Sequence, residues 1–418
     1  MQSFTRTVAR SAKRGYSTKS FLETHNPFSV TTYARPDIVI RQGRGSHLWD
    51  TDGKKYIDFT AGIAVTGLGH CDDEVADIIT DQSKTLIHAS NLYYNEWTPR
   101  LQKAIVETTL NAGGMHNASR VFLANSGSEA NEAALKFARK HGNNISGEKT
   151  EIVSFNRSFH GRTMGALTVT ANPKYTDPFR PLIPGVKHGN VNDIEAIDSL
   201  VTDKTCAVIV EPIQAEGGIY VCDADFLVAL KKRCSQVGAL LIYDEIQCGL
   251  GRTGKLWAHQ WLPKEAHPDI LTMAKALGNG YPIGATLVTE EVEKALNVGD
   301  HGTTYGGNPL GCRVAHHVLS RLASPEIQQN VNTVSQLFQE RLEKLQQKFP
   351  DTITEIRGKG LLLGLQLSKD PAPILAKARE AGLLAITCGV NTIRFVPALN
   401  IPTEVAKEGL DILESVFE

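Results

Sequence analysis

Residues 120–139 read RVFLANSGSEANEAALKFAR, and the hydrophobic period changes halfway along them. Residues 120–124 form a short apolar run of strand length. From 129 to 141 the pattern becomes that of a helix with Ala130, Ala133, Ala134, Phe137 and Ala138 on one side. Asn125-Ser126-Gly127-Ser128 thus joins a strand end to a helix start. Glycine there permits close backbone approach, and amides and hydroxyls then face the positive end of a helix dipole, as a phosphate cradle requires. Ser and Asn also cap helices that bind nothing, so the turn alone leaves both readings open.

The alternation continues outward. Residues 151–155, 207–210 and 240–243 predict short buried strands, and 225–237 predicts a crossover helix between the last two. A further strand falls around 270–272. Strands alternating with helices predict an α/β fold, with a large and mostly parallel sheet covered by helices on both faces. After Asn308 the rhythm shifts: residues 310–349 read as helical, 360–367 and 392–395 as strands, and 403–417 as a closing helix. That is a second, smaller α+β domain. Residues 30–60 predict antiparallel strands joined by the Asp52-Gly53 turn and packed with the C-terminal part. The expected division is therefore an N-terminal segment at 17–75, a large domain at 76–308 and a small domain at 309–418.

Composition narrows the function. The chain has 418 residues, 41% hydrophobic and 21% charged, with a formal net charge of −1. Near-neutrality gives no electrostatic basis for binding nucleic acid or an anionic membrane. No apolar run approaches the roughly 20 residues that a membrane-spanning helix needs. The seven cysteines, at 71, 206, 222, 234, 248, 312 and 388, include no CxxC pair and predict reduced thiols rather than a disulfide frame. The thirteen histidines form no HExxH, so no metal is expected. The first residues are different: Arg6, Arg10, Lys13 and Arg14 stand among serines and threonines, with no acid before Glu23. This is the composition of a mitochondrial transit peptide, expected to span 1–16 and end at Tyr16, and it places the protein in the mitochondrial matrix.

GLGRTGKL, residues 249–256, satisfies G-x-G-x-x-G and nearly satisfies a P-loop, but Leu256 stands where a magnesium-binding Ser or Thr belongs. Both motifs must open a helix. Here KLWAHQWLPKEAHPD follows, with two prolines and no helical face. Two other residues carry chemistry. Asp244 ends the apolar run ALLIY, at the C-terminal edge of a parallel strand, where open α/β sheets bind ligands. A buried acid there needs a cationic partner, and the protonated ring nitrogen of pyridoxal phosphate is one. The strand around 270–272 delivers Lys275 to the same edge, and partial desolvation would lower its pKa for covalent work.

FLANSGSEANEAALKFAR, FHGRT, VEPIQAEGG, IYDEIQCGLGRTGKLWA, MAKALGNGYPIGA and HGTTYGGNPL occur in this order and spacing, and the set resembles the class-III aminotransferases from about Tyr33 onward. The resemblance implies a fold-type I enzyme dependent on pyridoxal 5'-phosphate, with 76–308 as the cofactor-binding domain. It absorbs GLGRTG into an active-site loop. It further implies that Lys275 binds the cofactor covalently and shuttles the proton, and that Asp244 pairs with the ring nitrogen. Gln247 would meet the ring hydroxyl, Phe159 would stack on the ring, and Gly127 and Ser128 would hold the phosphate. Thr304 would reach that phosphate from the other subunit of a homodimer.

YARPDIVI, LWDTDGKKYIDFTAGIAVTGLGH and HASNLYYNEWTPRL look most like the members that take the distal amine of N2-acetylornithine and pass it to 2-oxoglutarate, giving glutamate. On that likeness Arg162, with Thr303 beside it, clamps the carboxylate of the acetylated amino acid, a bidentate task suited to guanidinium. Tyr33 belongs to the same substrate site. Arg394 receives the α-carboxylate of 2-oxoglutarate, and Glu216 neutralises Arg394 when the amine donor binds. Ile63 stands where enzymes for free ornithine have a tyrosine. That favours an acylated or absent α-amine, although plain core packing also explains an isoleucine. Ornithine, succinylornithine and 4-aminobutyrate remain the alternative donors, and a non-catalytic protein of this fold is the alternative class.

Overall fold

The computed structural model describes residues 17–418, so the expected transit peptide at 1–16 lies outside the described residues. Its centre is a seven-stranded sheet. In chain order the strands are β4 (Ala118–Ala124), β5 (Glu151–Phe155), β6 (Val186–Gly189), β7 (Thr205–Val210), β10 (Leu240–Asp244), β11 (Ile270–Met273) and β12 (Gly284–Thr289). In space they run β4-β12-β11-β10-β7-β5-β6. Strands β7, β10, β11 and β12 are buried along their whole length, as expected when helices cover both faces. The helix Ala224–Val237 connects the parallel neighbours β7 and β10, and Gly238 ends it in the left-handed conformation at φ 68°.

Six strands share one direction; β12 alone opposes both its neighbours. The sequence reading did not anticipate β12. The stretch between Met273 and Gly284 is too short for a parallel crossover, which takes a dozen or more residues. The chain therefore turns back at once, which keeps residues 275–283 at the edge where Lys275 lies.

Two smaller sheets flank this one. β1 (Ile40–Arg44), β2 (His47–Asp50) and β3 (Lys55–Asp58) form an antiparallel meander that β15 (Leu383–Leu384) extends in parallel on β3. β13 (Ile353–Lys359), β14 (Leu362–Leu367), β17 (Thr392–Phe395) and β16 (Ile386–Cys388) form the other. The pairing of β3 with β15 brings the N-terminal segment against the C-terminal part. Phe59, Phe338 and Phe395, all fully buried, join the two, with ring centroids 5.0 Å apart for Phe59–Phe338 and 6.0 Å for Phe338–Phe395. The short hairpin β8 (Ile213–Gln214) and β9 (Tyr220–Val221) carries Glu216 in its loop. The helix Pro309–Leu322 packs on the helices Asp73–Thr85 and Trp97–Asn111, while the next helix, Pro325–Lys348, packs on β13 and the closing helix Thr403–Ser415.

Ala61, Gly62, Ile63 and Ala64 all have positive φ, from 45° to 66°, so this one turn winds left-handed. Each non-glycine residue there costs about 1–2 kcal/mol. The turn is held by Ala64 N–H on Thr60 O at 2.9 Å and Val65 N–H on Ala61 O at 2.8 Å. The buried Asp58 anchors it, accepting from Thr60 N at 2.7 Å and from His70 Nε2 at 2.7 Å. Ile63 is 44% exposed, so core packing does not explain it. Ile63→Gly is expected to keep unfolding stability within about 1 kcal/mol of wild type, because strain relief offsets lost burial and added chain entropy. Buried isoleucines cost about 2–5 kcal/mol when truncated even to alanine. A loss of that size in denaturant titrations would restore the packing explanation.

Candidate active site

The C-terminal ends of β4, β5, β7, β10 and β11 open into one cleft of about 300 Å³. This is where a parallel sheet presents its ligand site. Asn125 to Ser128 line one side after β4, Phe159 to Gly161 follow β5, and Glu211 follows β7. Asp244 and Gln247 follow β10, and Lys275 follows β11. The sequence thus sends five strand ends to one place.

Asp244, 3% exposed, forms the floor. Its Oδ2 accepts from Asn131 Nδ2 and from His160 Nδ1, each at 2.8 Å, and its Oδ1 accepts from Ile246 N at 3.1 Å. Asn131 is itself fixed: Nδ2 also donates to His160 O at 2.7 Å, and Oδ1 accepts from Thr272 Oγ1 at 2.8 Å. Three donors hold this carboxylate in one orientation.

Lys275 sits in the left-handed region at φ 41°. Burial among protein atoms lowers its pKa to about 8, and the positive charge of Arg394 pushes the same way against Asp244, Glu211 and Glu216. At pH 8 about half of such amines are neutral, against about one in 300 for an ordinary lysine. Cofactor capture by the cofactor-free protein is therefore expected to quicken up to about pH 8 and then level off. Stopped-flow absorbance checks this, and a rise continuing to pH 10 would contradict the lowered pKa.

The cradle is shaped by its glycines and by Glu129. Ser126 caps the helix Gly127–Ile145, its Oγ accepting from Glu129 N at 3.2 Å, while Glu129 Oε2 accepts from Asn125 N at 2.9 Å. The first-turn amides have no partners within the helix. A Cβ on Gly127 would come 2.8 Å from Ile246, and one on Gly161, at φ 138°, would come 2.3 Å from Ser128 Oγ. Thr303 Oγ1 accepts from Asn125 Nδ2 at 3.1 Å, which seats it beside the cradle.

The two arginines behave differently. Arg394, 2% exposed, bonds through Nη1 to Glu216 Oε2 at 2.9 Å and to Gln247 Oε1 at 3.1 Å. Arg162 is exposed and has no ion pair among the described residues; its guanidinium lies 3.9 Å from the Tyr175 ring centroid and 5.4 Å from that of Phe159. Tyr175 links the pair, since its Oη donates to Glu216 Oε1 at 3.1 Å. Tyr33, 71% exposed, and Thr304, also exposed, do not line the cleft, and Arg162, Thr303, Glu216 and Arg394 lie outside its immediate lining. Val65, just after the left-handed turn, lines the cleft, and Ile63 does not.

Asn131, His160, Glu211 and Tyr175 escaped the sequence reading. Glu211 is a buried carboxyl that accepts from Phe159 N at 2.9 Å and Ala215 N at 3.2 Å, and burial raises its pKa to about 7. Asn131 carried a usable signal, being the one amide among the alanines of a buried helix face. His160 lies inside FHGRT but reads there as a neighbour of Arg162.

A buried strand-end acid under the cleft, a lysine of lowered pKa and an anion cradle at a helix start are the parts that a fold-type I, pyridoxal-phosphate-dependent enzyme needs. The pattern of the family described as aminotransferase class-III matches residues 29–417, and the chain belongs to that family. The chain is 60% identical over 404 residues to an acetylornithine aminotransferase, mitochondrial, of Yarrowia lipolytica, with 97% of each chain covered. It is 58% identical to the protein of the same name in Neurospora crassa, covering 98% of this chain and 93% of that one. Among solved structures it resembles an N-acetylornithine aminotransferase from Stenotrophomonas maltophilia, with TM-score 0.79 and 35% identity over 95% of this chain and 98% of that one. An ornithine aminotransferase from Toxoplasma gondii gives TM-score 0.90 and 32% identity, over 96% and 95%.

The residues fit the cofactor. Gly127 and Gly161 let the backbone of the cradle pack closely against Ile246 and Ser128, where a Cβ would clash. Asp244 is a buried acid that no lysine or arginine pairs with among the described residues, and His160 Nδ1 lies 2.8 Å from it. No cluster of ligands for a metal occurs among the described residues.

Proposed function

We propose that this enzyme moves the distal amino group of N2-acetylornithine to 2-oxoglutarate, giving N-acetylglutamate 5-semialdehyde and glutamate, by a ping-pong route in arginine biosynthesis. One observation carries the substrate reading: Arg162 has no ion pair among the described residues, whereas Arg394 is already paired with Glu216, and Tyr175 touches both Arg162 and Glu216. That pairing lets one cleft serve a donor with one carboxylate near Arg162 and a dicarboxylate that needs both arginines. The relatives' names point to acetylornithine as the donor.

When bound, pyridoxal phosphate supplies the electron sink that weakens a C–H bond beside the amine. Asp244 would hold the proton on the ring nitrogen, and Asn131 and His160 aim that carboxylate. Lys275 anchors the cofactor at rest and carries the proton at the substrate carbon. Gly127 and Ser128 bind the phosphate, Phe159 covers the ring, and Gln247 exchanges between Arg394 and the ring hydroxyl. Arg162 and Thr303 take the donor's carboxylate. Glu216, with a quarter of its side chain exposed, swings off Arg394 when the oxo acid arrives, and Tyr175 offers it a second partner.

The active unit in this reading is a homodimer in the mitochondrial matrix, with residues 1–16 removed. Leu92, Tyr93, Tyr94 and Tyr305 expose 65–101% of their surface, and Asn91 ties their loops together through Thr303 O and Gly306 O. So large an apolar surface argues for a partner, and the partner subunit's Thr304 then completes the phosphate site. We also place the division between large and small domains at the turn before Pro325 rather than at 308, because the helix Pro309–Leu322 packs on the large-domain side.

Steady-state assays with acetylornithine, ornithine, succinylornithine and 4-aminobutyrate test the substrate. Acetylornithine is expected to exceed ornithine in kcat/KM by at least about tenfold, the usual scale for one well-placed group. Ornithine equal or better would overturn the reading.

A further inference from the structure

Arg252 lies in the GLGRTG loop, 1% exposed, and no acid pairs with it among the described residues. Burial alone lowers its pKa to about 9, and its Nη2 has no hydrogen-bond partner. A buried cation without a counter-ion is costly, and an apolar side chain of similar volume commonly does better there. Stability is therefore not what the residue serves.

Its contacts show what else it reaches. Nη1 donates to Leu361 O at 3.2 Å and to Pro397 O, and Arg252 O accepts from Leu361 N at 2.9 Å. Leu361 immediately precedes β14, and Pro397 lies two residues beyond β17. These strands pair with Gly364 opposite Arg394. One guanidinium therefore grips the ends of the two strands that present Arg394. Its own loop starts two residues after Gln247, the large-domain acceptor of Arg394. A Cβ on Gly360 would come 2.4 Å from Arg252 O, so the approach is as close as backbone allows.

We infer that Arg252 is a positioning residue for the oxo-acid subsite: it clamps the β14–β17 pair to the loop after Asp244 and so sets where Arg394 stands over the cleft. The inference rests on the reading of Arg394 as the 2-oxoglutarate arginine. Arg162, Tyr175 and Phe159 all belong to the large-domain side and do not touch Arg252 or the two carbonyls it grips. Its loss therefore reaches one half-reaction and spares the other. Two other ties, Arg357 Nε on Gly218 O at 2.8 Å and Gly389 N on Glu216 O at 2.8 Å, still hold the small sheet near, which limits the damage.

The test uses the full-length, cofactor-loaded enzyme and its Arg252→Met and Arg252→Lys variants. Glutarate, an unreactive dicarboxylate, is titrated by calorimetry, and each half-reaction is followed by rapid mixing. Arg252→Met is expected to keep its cofactor content and its rate with acetylornithine within about threefold, while glutarate and 2-oxoglutarate bind about tenfold more weakly, the scale of a small misplacement. Arg252→Lys, which keeps the charge but not the fork, should recover part of that loss; it also carries the test if Arg252→Met does not fold. Unaltered glutarate binding in the variants, or equal damage to both half-reactions, overturns the inference. Failure of wild type itself to bind glutarate overturns the Arg394 reading first, and the inference with it.

Discussion

Lys275→Ala lowers transamination by at least about four orders of magnitude, because it removes both the anchoring amine and the proton carrier, and general acid–base catalysis alone is worth about 10²–10⁴. The fold survives. Lys275 has a lowered pKa, near 8 in place of 10.5, so its linkage sign is that of a depressed cation. Its contribution to the cofactor-free protein is whole above the unfolded value and is lost as pH falls through about 8. At pH 7 the cofactor-free wild type therefore carries a penalty that the alanine variant does not. The cofactor-free variant should unfold about 1 kcal/mol later, after discounting for the open side of the cleft. Two measurements check this: turnover, and peptide mapping after borohydride reduction of the loaded wild type. A cofactor label on any lysine other than Lys275 would sink the assignment, and so would a variant that retains turnover.

The placement of Lys275 and Asp244 was legible before any coordinates because each follows an apolar run too short for a helix. Strands buried on both faces show in sequence as such runs, and the residue after the run lies at the sheet edge. β5 and β17 were readable for the same reason. β12 was not: its direction is fixed by the shortness of the preceding turn, and periodicity carries no direction. The left-handed turn was invisible as well, since Thr-Ala-Gly-Ile-Ala reads as an ordinary small apolar stretch and nothing in it announces a positive φ at Ile63. The partners of buried polar groups were the largest gap. Asn131 meets Asp244 across 113 positions and Tyr175 meets Glu216 across 41, and only the folded chain brings them together. Family likeness supplied Arg162, Arg394 and Glu216, which no local pattern singles out. It also supplied Tyr33 and Thr304, which this chain alone does not bring to its cleft.

Arg394→Ala is expected to separate the two halves of the cycle. Removing the guanidinium deletes the charge-assisted grip on the α-carboxylate of 2-oxoglutarate, a loss of about 3 kcal/mol or two orders of magnitude in binding. The amine-donating half should persist, because Arg162 with its Tyr175 stack is untouched. Arg162→Ala does the reverse to acetylornithine, and also weakens the hold on the far carboxylate of glutamate. Glu216 decides the cost in stability. A buried carboxylate stripped of its cation is expensive, but Glu216 has a quarter of its side chain exposed and keeps the Tyr175 hydroxyl at 3.1 Å. The penalty in Arg394→Ala should thus be modest, and Glu216→Gln in the same chain should remove most of it. In single-turnover mixing, the Arg394→Ala enzyme should accept the amino group from acetylornithine at near the wild-type rate, then stall when 2-oxoglutarate is added. Equal slowing of both halves, at unchanged cofactor content and melting temperature, would show that the two arginines do not divide the substrates between them.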